Sequence, residues 1–515
     1  MRRTPAPPTF DQDKSQPDDN NHHSNQNDAF PTMQRLIHKL KSFFSTSDSD
    51  VSSPSSTPDK LKIVERKDHG ISRDNIDKEA LDVLYGLKRA GYEAYLVGGG
   101  IRDILLGLEP KDFDVVTNAE PEQVKAVFKS RCRLIGRRFR LAHVYFGRNA
   151  IEVATFRGSG EGQGAKAENR KQVNHTRALD DSGRLLRDNV YGAIDEDVWR
   201  RDFTINSLYY NIENFAILDY TGGLDDLNNG LLRLIGDPVT RYREDPVRMI
   251  RAVRFAAKLG FEIEPETKAP IYEMGHLLKD VSHARMFEEV LKLFHSGVAI
   301  EVFEKLRHFG LFVYLFPQTH HLLSQESEGF PRMLVIEALK STDARIQADK
   351  GVNPSFLFAA MLWEPMLQRM EQHLAEGFSR QDAMFAASAA VIDEQIFSTS
   401  IPKRFVSQIK ETWGLQFRLL NRQGNRPQRL REHPRFRAAY DFMGIRLAAG
   451  EEALQEVFDW WTHYQTLDGV DQVAFVQQVD KKPKKRRPRR NRNPYRKRSQ
   501  PRDDQADNLT SSHQA

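Results

Sequence analysis

Two carboxylates stand two residues apart in Lys111-Asp-Phe-Asp114. On a strand, positions i and i+2 share a face, so Asp112 and Asp114 would sit side by side while Phe113 turns to the core. Such a pair holds hard cations, and oxygen ligands accept Mg²⁺ and Mn²⁺ alike. Alone, an Asp-x-Asp is usually a solvated strand edge, but its surroundings here are more specific. Ala94-Tyr-Leu-Val97 reads as a strand that runs into Gly98-Gly-Gly-Ile-Arg-Asp103, and a short helix from Ile101 to Leu106 closes at Gly107. Glycine lets backbone approach a ligand closely, and N–H groups at a helix start can cradle phosphate. Gly99, Gly100 and the donor fork of Arg102 are therefore candidate phosphate ligands.

Two later motifs carry further polar chemistry. In Arg200-Arg-Asp-Phe-Thr-Ile-Asn206, Asp202 can accept from a ribose hydroxyl, Asn206 can donate and accept, and one of Arg200 and Arg201 can face phosphate, Arg201 being the candidate. A salt-bridged helix start is the plainer reading of that segment in isolation. In Glu244-Asp-Pro-Val-Arg248, Asp245 and Arg248 are three apart and would share a helical face. A carboxylate beside a guanidinium suits the donor and acceptor on the Watson–Crick edge of adenine; the plain alternative is an ion pair worth about 0.5 kcal/mol. A two-cation site needs a third anionic ligand. Glu152, in the strand-like Ile151–Thr155, and Asp197, just before the Arg-Arg-Asp motif, both qualify, and the sequence does not choose between them.

These residues need a small α/β unit to position them. Apolar residues from Ile76 to Leu87 recur at helical spacing up to Gly91. Strands are expected at 94–97, 113–117, 134–135, 143–146 and 151–156, with a helix over Pro121–Phe128. Between Gly158 and Arg187 the chain is rich in Gly, Asn and charge and reads as a surface loop. From Asp245 onward the pattern is helical, with helices expected over Met249–Leu259, Arg285–His295, Phe356–Trp363 and Ala453–Gln465. The expected division is a catalytic unit over 70–218, a nucleotide-recognition neck over 219–300, an all-α RNA-binding body over 301–470, and disordered extensions at 1–60 and 480–515.

The glycine turn and Asp-x-Asp segment, residues 98–117, resemble the active-site start of the nucleotidyltransferase superfamily. With the motifs at 200–206 and 244–255 the chain is similar, over roughly residues 70–480, to the class II group, which holds bacterial poly(A) polymerases and tRNA CCA-adding enzymes. That resemblance implies an α+β, polymerase-beta-like head with a small mixed sheet, followed by an all-α body. It implies two Mg²⁺ ions on Asp112 and Asp114, a nucleoside triphosphate substrate and an RNA 3′ end as acceptor. Leu134-Ile-Gly-Arg-Arg-Phe-Arg-Leu-Ala-His-Val144 resembles the stretch that marks the polymerases. Its Arg137, Arg138 and Arg140 around Phe139 suit a phosphate backbone and a stacked base. AMP transfer from ATP is thus expected, with CCA addition to tRNA as the rival and a silent RNA-binding homologue as a third reading. The resemblance also implies a monomer whose tailing feeds RNA decay machinery.

Charge is distributed unevenly. The 515 residues carry a net charge of +5, but 13 Lys or Arg lie in Lys481–Arg502, and without residues 481–515 the balance is −5. Lys484, Lys485, Arg486, Arg487, Arg489 and Arg490 form the densest part of an arm whose prolines oppose helix. Such an arm binds RNA phosphate without reading sequence. Mean hydropathy is −0.60, and no run of about 18 apolar residues would span a bilayer. Met1–Asn27 has no apolar stretch of secretory type, and Met33 is an alternative start. The single cysteine, Cys132, excludes an internal disulfide and points to a reducing cytoplasm. Residues 33–44 form a basic amphipathic pattern; a transient helix in a disordered tail is the favoured reading, and peripheral contact with an anionic inner-membrane surface is the alternative.

Overall fold

The computed structural model describes residues 61–136, 140–158, 177–179, 185–188, 190–325 and 333–480. The helix expected over 33–44, Arg137 and Arg138, and the tail residues Lys484, Lys485, Arg486, Arg487, Arg489 and Arg490 lie outside the described residues.

The head is built on one eight-stranded sheet. In chain order its strands are β1 (Lys62–Val64), β2 (Ala94–Val97), β3 (Asp114–Thr117), β4 (Cys132–Ile135), β5 (Leu141–Phe146) and β6 (Asn149–Thr155). A separate two-stranded ribbon, β7 (Arg177–Leu179) and β8 (Leu185–Asp188), follows where the composition suggested only a loop. The sheet is completed by β9 (Leu208–Asn211) and β10 (Ile217–Asp219). Its spatial order is β1-β10-β9-β2-β3-β6-β5-β4, with only β3 and β6 parallel. This is a mixed sheet, as the resemblance implied, enlarged by strands recruited from both sides of the glycine turn.

Period-two alternation sorts its side chains into two layers. Leu96, Val115, Val153 and Tyr210 join the main core, whereas their chain neighbours Val97, Val116 and Tyr209 enter a small cluster with Phe156, Val198 and Leu218 on the opposite face. Helix α1 (Lys78–Arg89) buries Ala80, Val83, Leu84 and Leu87 against the main-core face. Burying each of its larger aliphatic side chains contributes about 2 kcal/mol; Leu84→Asp would break that seam. Helix α2 (Gly99–Leu105) follows β2, and α3 (Pro121–Phe128) follows β3. The latter begins with proline at its first turn, and the Glu120 amide donates to Gln123 Oε1 at 2.8 Å.

Beyond α4 (Ile194–Val198) and α5 (Gly223–Asn229), a two-residue parallel ladder joins β11 (Leu231–Leu232) to β12 (Glu262–Ile263), so strand pairing does not stop at Asp245 as the helical pattern suggested. Helices α6 (Pro238–Glu244) and α7 (Val247–Leu259) lead into α8 (Pro265–Met274) and α9 (His283–Phe294). From there helices continue from Ala299–His308 to Gly469–Asp480. The helix expected over 356–363 is two: Pro354–Met361 ends at Leu362, and Trp363–Ala375 begins a new direction. One core runs from Ile71 in the head to Ile445 in the body, and a second, aromatic-rich core closes the last helices around Trp461. No helix among the described residues is long and apolar enough to cross a membrane.

Candidate active site

The glycine turn is fixed by sterics. Gly98 adopts φ 82°, ψ −145°, a region closed to side chains, and an added Cβ there would lie 3.3 Å from Asp114 Oδ2. An added Cβ at Gly100 would meet Phe113 Cδ1 at 3.0 Å and the Asp112 carbonyl at 3.1 Å. The turn therefore presses directly on the Asp112–Asp114 segment. Phe113 is buried in the main core, while Asp112 and Asp114 are exposed. Asp114 opens β3 and Asp112 precedes the strand, so the expected split between core and solvent is realised at its mouth.

In the parallel ladder Asp114 is in register with Glu152 on β6, and Glu152 is in turn opposite His143 on β5, with His143 Nε2 3.5 Å from Glu152 Oε2. Asp114 is pushed up to about 6, first by desolvation and then by the neighbouring charges of Glu152 and Asp112, with Arg201 pulling the other way. Asp114 and Glu152 thus share one sheet face with Asp112 close by, and among the described residues none of the three is ion-paired to lysine or arginine. Among the described residues no three such groups close tightly around one point.

Asp197 is held differently. It is buried; its Oδ1 accepts the Arg157 amide at 3.1 Å, and its Oδ2 accepts from the Tyr209 hydroxyl at 2.8 Å and from Arg201 at 3.0 and 3.1 Å. Arg201 also donates to the Tyr209 hydroxyl at 2.7 Å. Both carboxylate oxygens are engaged, so Asp197 braces the Arg-Arg-Asp segment, and Arg201 is bound inward to it rather than presented as a free donor fork.

Asp202 accepts the Phe203 amide at 2.8 Å, Asn206 Nδ2 at 3.3 Å and Arg251 Nε at 2.9 Å, with a second contact from the same guanidinium. Burial alone would raise its pKa, but Arg251 holds it at about 2. Asn206 accepts Arg102 Nη1 at 2.6 Å, and Arg102 also grips Asp103 at 2.8 Å through Nε and lies 5.1 Å over the Phe255 ring. Arg102 is buried, which corrects its expected role as an open phosphate fork. It ties the glycine helix to the 200–206 segment and to α7. Gly99 and Gly100 begin α2, where the first N–H groups have no carbonyl within the helix to donate to.

Asp245 and Arg248 are not neighbours on a helix. Asp245 is extended at φ −149°, ψ 93°, and α7 starts only after Pro246. A residue before proline is driven from the helical region, which was the legible signal. Asp245 takes a two-point bond from Arg285 on α9, at 2.9 and 2.7 Å. Arg248 donates to the Arg241 carbonyl at 2.7 Å and to Glu244 at 3.1 Å, and Arg241 donates to Glu244 at 2.5 Å. Arg140 pairs with Glu122 at 2.6 Å on the surface.

Cations on α7 were missed as a group. Arg251, Arg254 and Lys258 recur at three- and four-residue spacing on one face of the helix. Arg254 Nε is buried without a partner, and desolvation, then Arg251, push Arg254 down to about 10. Desolvation also lowers Lys258; Asp103 opposes this, while Arg102, Arg254 and Lys111 add to it. Excess positive charge therefore gathers beside Asp103, and Lys111 links it to the Asp112 segment. This is a field for an anion.

The head matches the family model described as "Poly A polymerase head domain" over residues 94–233. Residues 260–323 match "Probable RNA and SrmB- binding site of polymerase A", and residues 376–497 match "Polymerase A arginine-rich C-terminus". Poly(A) polymerase I of Salmonella typhi is 48% identical, over 85% of this chain and 92% of its own length. The CCA-adding enzyme of Lactobacillus helveticus is 36% identical over 44% of this chain and 52% of its own. A solved structure described as "tRNA-processing enzyme (apo form 2)" shares the fold, with a TM-score of 0.50 at 21% identity, covering 78% of this chain and 100% of that one.

Proposed function

The chain belongs to the bacterial poly(A) polymerase I family, and we propose that it transfers AMP from ATP to RNA 3′-hydroxyls without a template, releasing pyrophosphate. The observation that carries this reading is the extent of the similarity. It spans head, neck and body for the polymerase, whereas the CCA-adding relative matches less than half of this chain.

Asp112 and Asp114 hold the divalent metal in this reading, two ions of Mg²⁺ or Mn²⁺. A metal held by Asp112 and Asp114 would supply Lewis-acid chemistry, lowering the pKa of the attacking 3′-hydroxyl and countering charge on the leaving pyrophosphate. Glu152 is the third carboxylate of choice, because it is in register with Asp114 and Asp197 is already engaged. The backbone at Gly99 and Gly100 meets the triphosphate. Arg254, Lys258 and Lys111 supply the countercharge first assigned to Arg102. Asp202 and Asn206 receive the ribose, with Arg201 and Arg251 fixing their segment. Asp245 and Arg248 read adenine from positions set by Arg285 and Glu244.

The product's single-stranded tail offers 3′ exonucleases a foothold, so promotion of RNA decay belongs to the same reading. So do a monomeric enzyme, a cytoplasmic site of action, RNA contact through Arg137, Arg138, Arg140 and the basic tail, and peripheral membrane contact through residues 33–44. The test is extension of a labelled generic RNA with each nucleoside triphosphate alone. Long ladders with ATP only are expected. One to three additions requiring CTP and a tRNA-like end would make it a CCA-adding enzyme, and RNA binding without extension would make it a silent homologue.

A further inference from the structure

In the body, helices Arg380–Gln395 and Lys403–Leu419 lie side by side with opposite chain directions. Arg380 sits 5.0 Å over the Phe417 ring and Lys410 sits 5.9 Å from the Phe385 ring. Lys403, Lys410 and Phe417 recur every seven residues, which places them on one face of the second helix. Phe385 is 69% exposed and belongs to no hydrophobic core of the described residues. Among those residues Arg380, Lys403 and Lys410 have no carboxylate partner. The acids nearby are engaged elsewhere: Glu411 with Arg435 at 3.7 Å, and Asp382 with Ser379 at 2.6 Å. A second phenylalanine, Phe397, is 77% exposed beyond the end of the first helix and has no cation over its ring.

We propose that the seam between these two helices is a stacking platform for single-stranded RNA, with a base on Phe385 and backbone phosphates on Lys403, Lys410 and Arg380. The proposal rests on the RNA-extending reading above and adds a place for the strand behind its 3′ end. Aromatic faces accept any base, and interleaved cations follow the backbone. From Lys403 to Phe417 the seam runs about 21 Å at 1.5 Å per residue. Charge complementarity favours nucleic acid over a protein ligand. The exposed Phe385 ring has Lys410 beside it, and among the described residues Lys410, Arg380 and Lys403 have no carboxylate partner, a pairing of open ring and open cations that suits a base and its phosphate.

The test uses the full chain and a labelled oligoadenylate, with affinity measured by anisotropy across a salt series. Phe385→Ala should weaken binding about 5-fold or more, the lower end for loss of one stacked base, while Phe385→Trp should retain it. Lys410→Ala should weaken binding and flatten the salt slope by about 0.7. Phe397→Ala should bind as wild type, and the KM for ATP should be unchanged throughout. Wild-type affinity in Phe385→Ala would overturn the platform, as would equal loss in Phe397→Ala or failure of tryptophan to restore binding. If Phe385→Ala lost only the capture of a protein, with RNA affinity intact, the ring would belong to a protein surface and the proposal would fall. If the wild-type chain neither bound nor extended RNA, the activity reading would fall with it. Extension intact and Phe385→Ala unaltered would remove the platform alone.

Discussion

Asp114 and Glu152 share one sheet face with Asp112 close by, none of the three ion-paired to arginine or lysine among the described residues, whereas Asp197, Asp202 and Asp245 each grip a guanidinium, from Arg201, Arg251 and Arg285 in turn. The two sets are built from the same residue types. In the first, desolvation and then the like charges of Glu152 and Asp112 raise Asp114 to about 6; in the second, Arg251 holds Asp202 at about 2 against the desolvation that would raise it. A paired carboxylate fixes the geometry of its segment. An unpaired cluster leaves an attraction for a cation that the protein itself does not supply. The contrast separates carboxylates held in place by a guanidinium from carboxylates left open to a cation.

The largest effect should come from the unpaired set. Asp112→Ala should reduce AMP transfer by about 10³-fold or more, the scale of losing metal stabilisation worth several kcal/mol, with RNA binding retained in a filter assay. Transfer near the wild-type rate would break the comparison at once. In the paired set the expected loss is of fold. Asp202→Asn leaves Arg251 and Asn206 without their anion and should cost about 3 kcal/mol in denaturant unfolding. An unchanged midpoint would mean that Asp202 does not brace its segment.

Much of the unpaired set was legible in the sequence, and much of the paired set was not. Asp112, Phe113 and Asp114 declare themselves through two-residue alternation, whereas the choice between Glu152 and Asp197 had to wait for the strand register. Nothing local announces that Asp245 meets Arg285 forty residues later, or Asp202 meets Arg251. Those partners come together only when α7 and α9 pack. Arg102 misled for the same reason. A free fork in the sequence becomes a buried strut once Asp103, Asn206 and Phe255 surround it. Pro246 was the signal that would have taken Asp245 off the helix.

A smaller effect sharpens the electrostatic half of the comparison. Arg254, with a buried and unpartnered Nε, should act on substrate anion more than on folding. Arg254→Ala should raise the KM for ATP about 10-fold, the lower end for a charge-assisted hydrogen bond, with little change in melting temperature. A large stability loss with unchanged KM would return it to the scaffold.

The smallest effect is a pH dependence of opposite sign in the two sets. Asp114 titrates at about 6 in the metal-free protein against 3.8 unfolded, so the folded state binds more protons between those values. Its ionisation therefore lowers stability as pH rises through that window. Asp202, at about 2 against 3.8, contributes stability above pH 3.8 that is lost as pH falls toward 2. In metal-free melts from pH 4 to 7, Asp114→Asn should gain on the wild type as pH rises. A constant difference would show that folding does not raise Asp114 above its unfolded range.

The most direct measurement compares Glu152→Gln with Asp197→Asn, recording AMP transfer per folded molecule beside the unfolding midpoint. The division between acting and building carboxylates predicts that Glu152→Gln keeps its midpoint and loses transfer. It predicts that Asp197→Asn loses stability while its folded fraction still transfers AMP. The reverse pattern, transfer lost with the fold intact in Asp197→Asn and activity kept in Glu152→Gln, would contradict it.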